Sequence, residues 1–264
     1  MKGVVLAGGL GTRLYPLTEV TNKHLLPVWN KPMIYYPLEL MAACGIKDVM
    51  IVVGGKSTGE IVRLVKDGRK FGFKGMNYAY QEGEGGIAAA LELTKQFVGN
   101  DLVFVVLGDN IVLEHEPIAE IVRNIQQFDD NDDLITPAHV ILHRVPDIEN
   151  YGAAQLGADK KVIQIIEKPK SVFTNLAVLG MYIYHGWHLF NAIKQCKPSE
   201  RGELEISDVN NYFAQNGQLT YSIFNGWWGD AGESFEKYYD VSNYVREQLK
   251  GKPSEEFPEL LKKG

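Results

Sequence analysis

Basic charge is in short supply, because 27 Lys and Arg face 33 Asp and Glu and leave a formal charge of -6. A nucleic-acid binder displaces counterions with a net basic face, so no nucleic-acid partner is expected. A local cluster of cations inside an acidic chain still suits a small anionic ligand. Cysteine is nearly absent: Cys44 and Cys196 are the only 2, each in a segment that reads as helical. That excludes a disulfide framework and fits a reducing cytoplasm. Long apolar runs are missing too. The stretch Met1 to Leu6 is too short for a signal core or a membrane span and runs straight into glycines, so no membrane partner is expected and the stretch reads as a buried strand.

What the chain does have is material for a core, with 45% hydrophobic residues, 11 Phe and 13 Tyr in 264 residues, enough for one large domain. Short apolar runs at 3–6, 48–53, 77–80 and 102–107 alternate with helical spacing at 34–43, 58–65, 87–97 and 117–128. Such alternation marks βαβ units and a mostly parallel sheet covered on both faces. Beyond Asp129 the pattern turns β-rich, with strands expected at 134–144, 153–156, 162–166, 178–184 and 219–224 and helices at 206–214 and 234–250. The expected fold is α/β and doubly wound, a Rossmann-like mixed sheet whose two halves share one sheet.

The first strand ends in Leu6-Ala7-Gly8-Gly9-Leu10-Gly11-Thr12-Arg13. Glycines there let backbone amides approach a phosphate that a Cβ would hold away. The dinucleotide fingerprint is not met: Leu14 stands where a third glycine belongs, and Val53-Gly54-Gly55-Lys56 offers no acidic residue at the end of the second strand. No Gly-Lys-Ser/Thr follows at P-loop spacing either. Two cations, Arg13 and Lys23, flank the loop instead, which is equipment for a triphosphate.

Further motifs follow in order: Asn22-Lys23-His24-Leu25-Leu26-Pro27-Val28, Tyr80-Gln81 with Gly85-Gly86-Ile87, Leu107-Gly108-Asp109-Asn110, Tyr151-Gly152, Glu167-Lys168-Pro169, Gly202-Glu203-Leu204-Glu205 and Trp228-Gly229-Asp230. Together they cover most of the chain. In this order they closely resemble the sugar nucleotidyltransferases, or nucleotide-sugar pyrophosphorylases, and within them the glucose-1-phosphate thymidylyltransferases.

That resemblance implies condensation of dTTP, or UTP in a sister enzyme, with glucose 1-phosphate. A catalytically dead, nucleotide-sensing relative is the third reading, and Arg13, Lys23, Asp109, Lys168 and Asp230 occurring together argue against it. It further implies a nucleotide-binding half at 1–128, a smaller β-rich sugar-binding lobe at 129–232, a C-terminal helix and tail at 233–264, and a homo-oligomer, commonly a tetramer. Leu6, Gly8, Gly9, Gly11, Thr12 and Gly108 would line the nucleotide, with Gly86 and Ile87 against the base. Gln81 can accept from pyrimidine N3–H and donate to O4. Tyr151, Gly152, Glu167, Lys168 and Asn175 would meet the sugar phosphate. Asp109 and Asp230, two carboxylates from distant parts of the chain, suit one Mg2+ that keeps waters and bridges phosphate oxygens. Arg13, Lys23 and Lys168 would do the catalytic work by neutralising charge.

His139 and His143 lie four apart on an expected strand and read as core or surface histidines. Gly229, Ala231 and Ile87 depart from residues common in the family, which bears on substrate preference. The tail after Lys250, with Gly251, Pro253 and Pro258 among charges, reads as frayed, so a second, regulatory nucleotide site of the long thymidylyltransferases is expected to be weak.

Overall fold

A computed structural model describes residues 1–55, 57–130, 137–199 and 202–250. The chain opens with β1 (Lys2–Ala7), a short hairpin of β2 (Pro27–Val28) and β3 (Lys31–Pro32), and α1 (Tyr35–Ala43). There follow β4 (Asp48–Gly54), α2 (Thr58–Val65), β5 (Gly75–Gln81), α3 (Ile87–Glu92), α4 (Lys95–Val98), β6 (Leu102–Leu107), β7 (Asn110–Val112) and α5 (Glu116–Asp130). The second half holds β8 (Ala138–Arg144), β9 (Gly152–Leu156), β10 (Val162–Glu167), β11 (Leu176–His185) and α6 (Gly186–Ile193). Then come α7 (Ile206–Gln215), β12 (Leu219–Ile223), β13 (Trp228–Asp230) and α8 (Phe235–Leu249).

One 9-stranded sheet takes strands from both halves in the order β10-β9-β11-β6-β1-β4-β5, with β8 beside β11 and β12 beyond it. The strands β6, β1, β4 and β5 run parallel, whereas β11 meets β6, β8 and β9 antiparallel. Side chains alternate across the sheet, as a period of two demands. Val5 and Ala7 of β1 join a core under α1, α2 and α5, while Val4 and Leu6 join one under α3, α6 and α7. Both faces are therefore covered, and the strands read as continuous apolar runs for that reason. A third cluster, with Leu14, Val28, Tyr36, Ile111, Ala231 and Val245, seats α8 against the hairpin.

Several elements differ from the sequence expectation. The expected helix 87–97 is two helices, because buried Thr94 turns its hydroxyl back onto the Leu91 carbonyl at 2.7 Å. Neither cysteine lies inside a helix: Cys44 caps α1, and Cys196 follows the end of α6 in a turn. The helix α6 was not expected, since it opens on Gly186, whose missing Cβ makes room for the Gly99 carbonyl. The start of the expected strand 134–144 and the tail after Lys250 fall outside the described residues.

His139 is buried on β8, with Nδ1 2.8 Å from Thr220 Oγ1 and Nε2 3.1 Å from Ser222 Oγ, both on β12. Burial pushes its pKa down to about 4. The unfolded chain, with an ordinary imidazole, therefore takes the proton first as pH falls. Stability is unaffected above about pH 6.5 and drops as pH falls from there towards 4, by about 2 to 3 kcal/mol from this group. Urea denaturation at pH 7 and 4.5 checks this: His139→Asn should shrink the acid loss, and an identical loss in variant and wild type would contradict it.

Candidate active site

The strand order sets the site. The topology reverses at β1, which has β4 on one side and β6 on the other, and open α/β sheets bind ligands beyond the carboxyl ends at such a point. The glycine loop leaves β1 there, Gly108 and Asp109 leave β6, Gln81 ends β5, and Glu167 ends β10 at the opposite edge of the sheet. A cleft of about 320 Å3 runs along this line.

Its β5 end depends on close backbone approach. A Cβ on Gly54 would sit 2.5 Å from the Gly8 carbonyl oxygen and 3.0 Å from that of Gln81, and one on Gly8 would lie 2.5 Å from Gln81 Oε1. The missing Cβ of Gly54 lets the chain leaving β1 pass over the end of β4 to reach Gln81 at the end of β5. Gln81 Nε2 donates to the Gly86 carbonyl at 3.3 Å, and Gly86 holds φ at 87°. A Cβ on Gly86 would meet the Leu204 carbonyl at 2.5 Å. The loop of Gly85 to Ala88 is zipped to Leu204 by Leu204 N–H to Gly85 O at 2.9 Å and Ala88 N–H to Leu204 O at 3.1 Å. Leu6, Gly9 and Ile87 also line this end, together with exposed Arg13.

The centre is a charge cluster. Asn22 caps the turn Lys23–Leu25, accepting from the His24 N–H at 2.9 Å and lying 2.7 Å from His24 Nδ1. Its amide donates to the Ala7 carbonyl at 3.3 Å, which ties the turn to the end of β1. Lys23 Nζ pairs with Asp109 Oδ2 at 2.5 Å. Burial works against both charges, yet each holds the other: the Lys23 ammonium lies above the usual lysine range, and Asp109 well below the carboxylate range. Burial, then Lys23, presses His24 down to about 3, so its ring is neutral.

Asp230 comes to the same place through β13, which pairs with β7 so that Asp230 faces Asn110, and Ala231 N–H donates to the Asp109 carbonyl at 2.9 Å. Burial and the neighbouring Asp109 raise its pKa to about 7. Two carboxylates thus share one lysine, a cluster one cation short of balance. This donor set fits Mg2+: hard oxygens only, and too few for a closed protein cage, which leaves positions for water and phosphate. Among the described residues no group of 3 or more His, Cys, Asp or Glu forms a metal cage.

At the β10 end, Gly152 starts β9 opposite Glu167 of β10, and Lys168 follows at φ 45° with its N–H on the Tyr151 carbonyl at 3.0 Å. The Tyr151 ring stands edge-on to Trp228 at 5.3 Å. Four of the expected residues do not line the cleft. Gly11, at φ 70°, and exposed Thr12 lie in the turn beyond it, and Gly108 sits beneath the His24 ring, where a Cβ would be 2.5 Å from Cδ2. Asn175 accepts from Arg144 at 3.0 Å at the start of β11.

Other residues reach the cleft without having been singled out. Asn110 donates to Asp109 Oδ1 at 3.2 Å and accepts from Gly180 N–H at 3.0 Å and Trp228 Nε1 at 2.8 Å. His24, Glu203, Glu205 and Trp228 also line it. Their signal was membership of the same motifs. Gly229, unusual for the family, is accounted for: a Cβ there would stand 2.6 Å from Val241 and 2.9 Å from the Trp227 ring, so that ring fills the space.

The model of the nucleotidyl transferase family matches residues 2–248. A glucose-1-phosphate thymidylyltransferase of Neisseria meningitidis is 37% identical over 93% of this chain and 83% of its own length. One from Mycolicibacterium smegmatis is 34% identical over 93% and 82%. A solved Bacillus anthracis structure assigned as a glucose-1-phosphate thymidylyltransferase, with sucrose bound, superposes at TM-score 0.83 with 43% identity over 93% of this chain and 95% of the other. A UDP-glucose pyrophosphorylase holding UDP-glucose shares the fold at TM-score 0.79 and 24% identity, over 94% and 98%. The chain belongs to the nucleotidyl transferase family.

Proposed function

We propose that this protein condenses dTTP with glucose 1-phosphate to give dTDP-glucose and pyrophosphate. The observation that carries this is the line of groups along one cleft: a glycine loop with Gln81 at one end, Lys23 with Asp109 and Asp230 in the middle, and Glu167-Lys168 at the other. That order suits base, phosphates and sugar phosphate, and the relatives named for this reaction support it.

The sugar phosphate oxygen is already an anionic nucleophile, so no general base is needed. Its oxygen forms a bond to the α-phosphorus while the bond from that phosphorus to the β-phosphate oxygen breaks, and pyrophosphate leaves with the electron pair. The obstacle is repulsion between converging anions, which positioning and fixed positive charge overcome. Lys168 holds the attacking phosphate and Glu167 the sugar hydroxyls. Arg13 and Lys23 stabilise charge on the triphosphate and the leaving group. Asp109 and Asp230 would hold Mg2+, which when bound neutralises phosphate charge. With non-bridging 18O in glucose 1-phosphate, label should appear in dTDP-glucose and none in pyrophosphate; labelled pyrophosphate would sink the proposal.

Gln81 reads the base, and Gln81→Glu keeps the acceptor for N3–H but loses the donor for O4. Use of dTTP and UTP should fall alike, by about 1 to 3 kcal/mol in kcat/KM. Unchanged kinetics with both would move the base pocket elsewhere. A cytoplasmic homo-oligomer accompanies this proposal. Both cysteines are free, no helix among the described residues is long and apolar enough to cross a membrane, and Tyr15, Trp29 and Tyr239 expose aromatic surface for a second copy. Light scattering on the purified chain tests the oligomer.

A further inference from the structure

The strand β10 lies at the outer end of the sheet, with β9 on one side only. Along such an edge, alternate N–H and C=O groups point away from the sheet without a strand partner. At Ile165 both are met by one side chain. Asn211, on α7, accepts from Ile165 N–H at 2.7 Å and donates to Ile165 C=O at 2.8 Å. A side-chain amide has the donor and acceptor of a peptide unit, so Asn211 stands in for one residue of a missing strand.

The place matters. A register irregularity between Val162 and Gln164 loosens the pairing of β10 just before Ile165, and Glu167 and Lys168 come directly after. A slip of one residue would turn every side chain to the opposite face, so the register of β10 decides where those two point. The helix itself is firmly seated: Val209 and Phe213 are fully buried, and Asn210 accepts from Tyr184 Oη at 2.6 Å. Just before α7, Leu204 is zipped to the loop at the base end of the cleft.

We infer that Asn211 is a positioning residue for the sugar phosphate: its amide fixes the register of β10 and so aims Glu167 and Lys168 from a helix anchored at the nucleotide end. This rests on the proposed role of Glu167 and Lys168. Asn211→Leu keeps the branched shape and removes both hydrogen bonds, and Asn211→Asp keeps the acceptor for Ile165 N–H but loses the donor.

The expected result for Asn211→Leu is a KM for glucose 1-phosphate raised about 5- to 20-fold, with the KM for dTTP within about twofold, as suits two hydrogen bonds lost at a remote support. Amide exchange at Ile165 should quicken, and Asn211→Asp should lie between wild type and Leu. If the Leu variant does not fold, the Asp variant decides by the same split. A rise in both KM values together, or in neither, overturns the inference. Lys168→Ala, measured alongside, separates the two claims. If it weakens glucose 1-phosphate and Asn211→Leu does not, the inference alone fails; if it leaves glucose 1-phosphate untouched, the role of Lys168 fails and the inference with it.

Discussion

Turnover of Asp109→Asn should fall by about 100-fold or more, because a carboxylate lost at the proposed metal and triphosphate site forfeits several kcal/mol of charge stabilisation. Asp109 serves twice: it is a candidate Mg2+ ligand, and it holds Lys23 in place through the 2.5 Å pair. Asparagine cannot neutralise the ammonium, so Lys23 should turn towards solvent and weaken triphosphate binding as well. Asp230→Asn should differ in a telling way. Turnover should fall by a similar factor, but stability should rise without Mg2+, since the native protein crowds this carboxyl against Asp109 and holds its pKa near 7. Relief of that repulsion at neutral pH should contribute about 1 to 3 kcal/mol, discounted for solvent in the cleft. Thermal melts in EDTA and kinetics over a Mg2+ titration check both halves. Near-wild-type activity of either variant at limiting Mg2+ would remove the metal assignment, and a lower melting temperature for Asp230→Asn would contradict the crowding.

Gly232→Ala is the second large effect. Gly232 N–H donates to Asp230 Oδ1 at 2.9 Å, and a Cβ on Gly232 would run into Asp109 Oδ2 and stand 2.8 Å from Lys23 Nζ. One methyl group would therefore pry apart the Lys23–Asp109 pair. Asp109 cannot retreat far, as it is buried and its carbonyl is bonded to Ala231, so the Lys23 ammonium is the side that gives way. The expected outcome is a loss in kcat/KM of about 10- to 100-fold and a destabilisation of about 1 to 3 kcal/mol, the range for overpacking a tight site. Adding Gly232→Ala to Asp109→Asn should cost little more turnover, because both act on one cluster. Additive losses would show that the methyl group acts elsewhere.

Much of this fold was legible because its strands are buried on both faces. Runs such as Val103 to Leu107 announce themselves without alternation, and helices such as α2 and α5 carry a clear apolar stripe. The three-residue strands β7 and β13 were not, since so short a segment has no period to detect. Yet their pairing is what brings Asp230 beside Asp109. The same holds for Asn110 and Asn211, whose work is done by side-chain amides facing distant backbone. Asparagine in a sequence signals a turn or cap at least as readily as a hub between elements. The glycines were visible as a motif, but the reason for each, such as Gly54 admitting the Gly8 carbonyl, is a contact between strands that only the fold supplies.

The most direct test of the central claim is pyrophosphate release by the purified protein over a matrix of nucleoside triphosphates and sugar 1-phosphates, with Mg2+ and with EDTA. The expected result is release that requires both dTTP and glucose 1-phosphate, is weaker by a factor of about 10 to 200 with dUTP, which lacks only the C5 methyl group, and stops in EDTA. Release that ignores the sugar phosphate, that runs equally with purine triphosphates, or that is absent from every combination would contradict it.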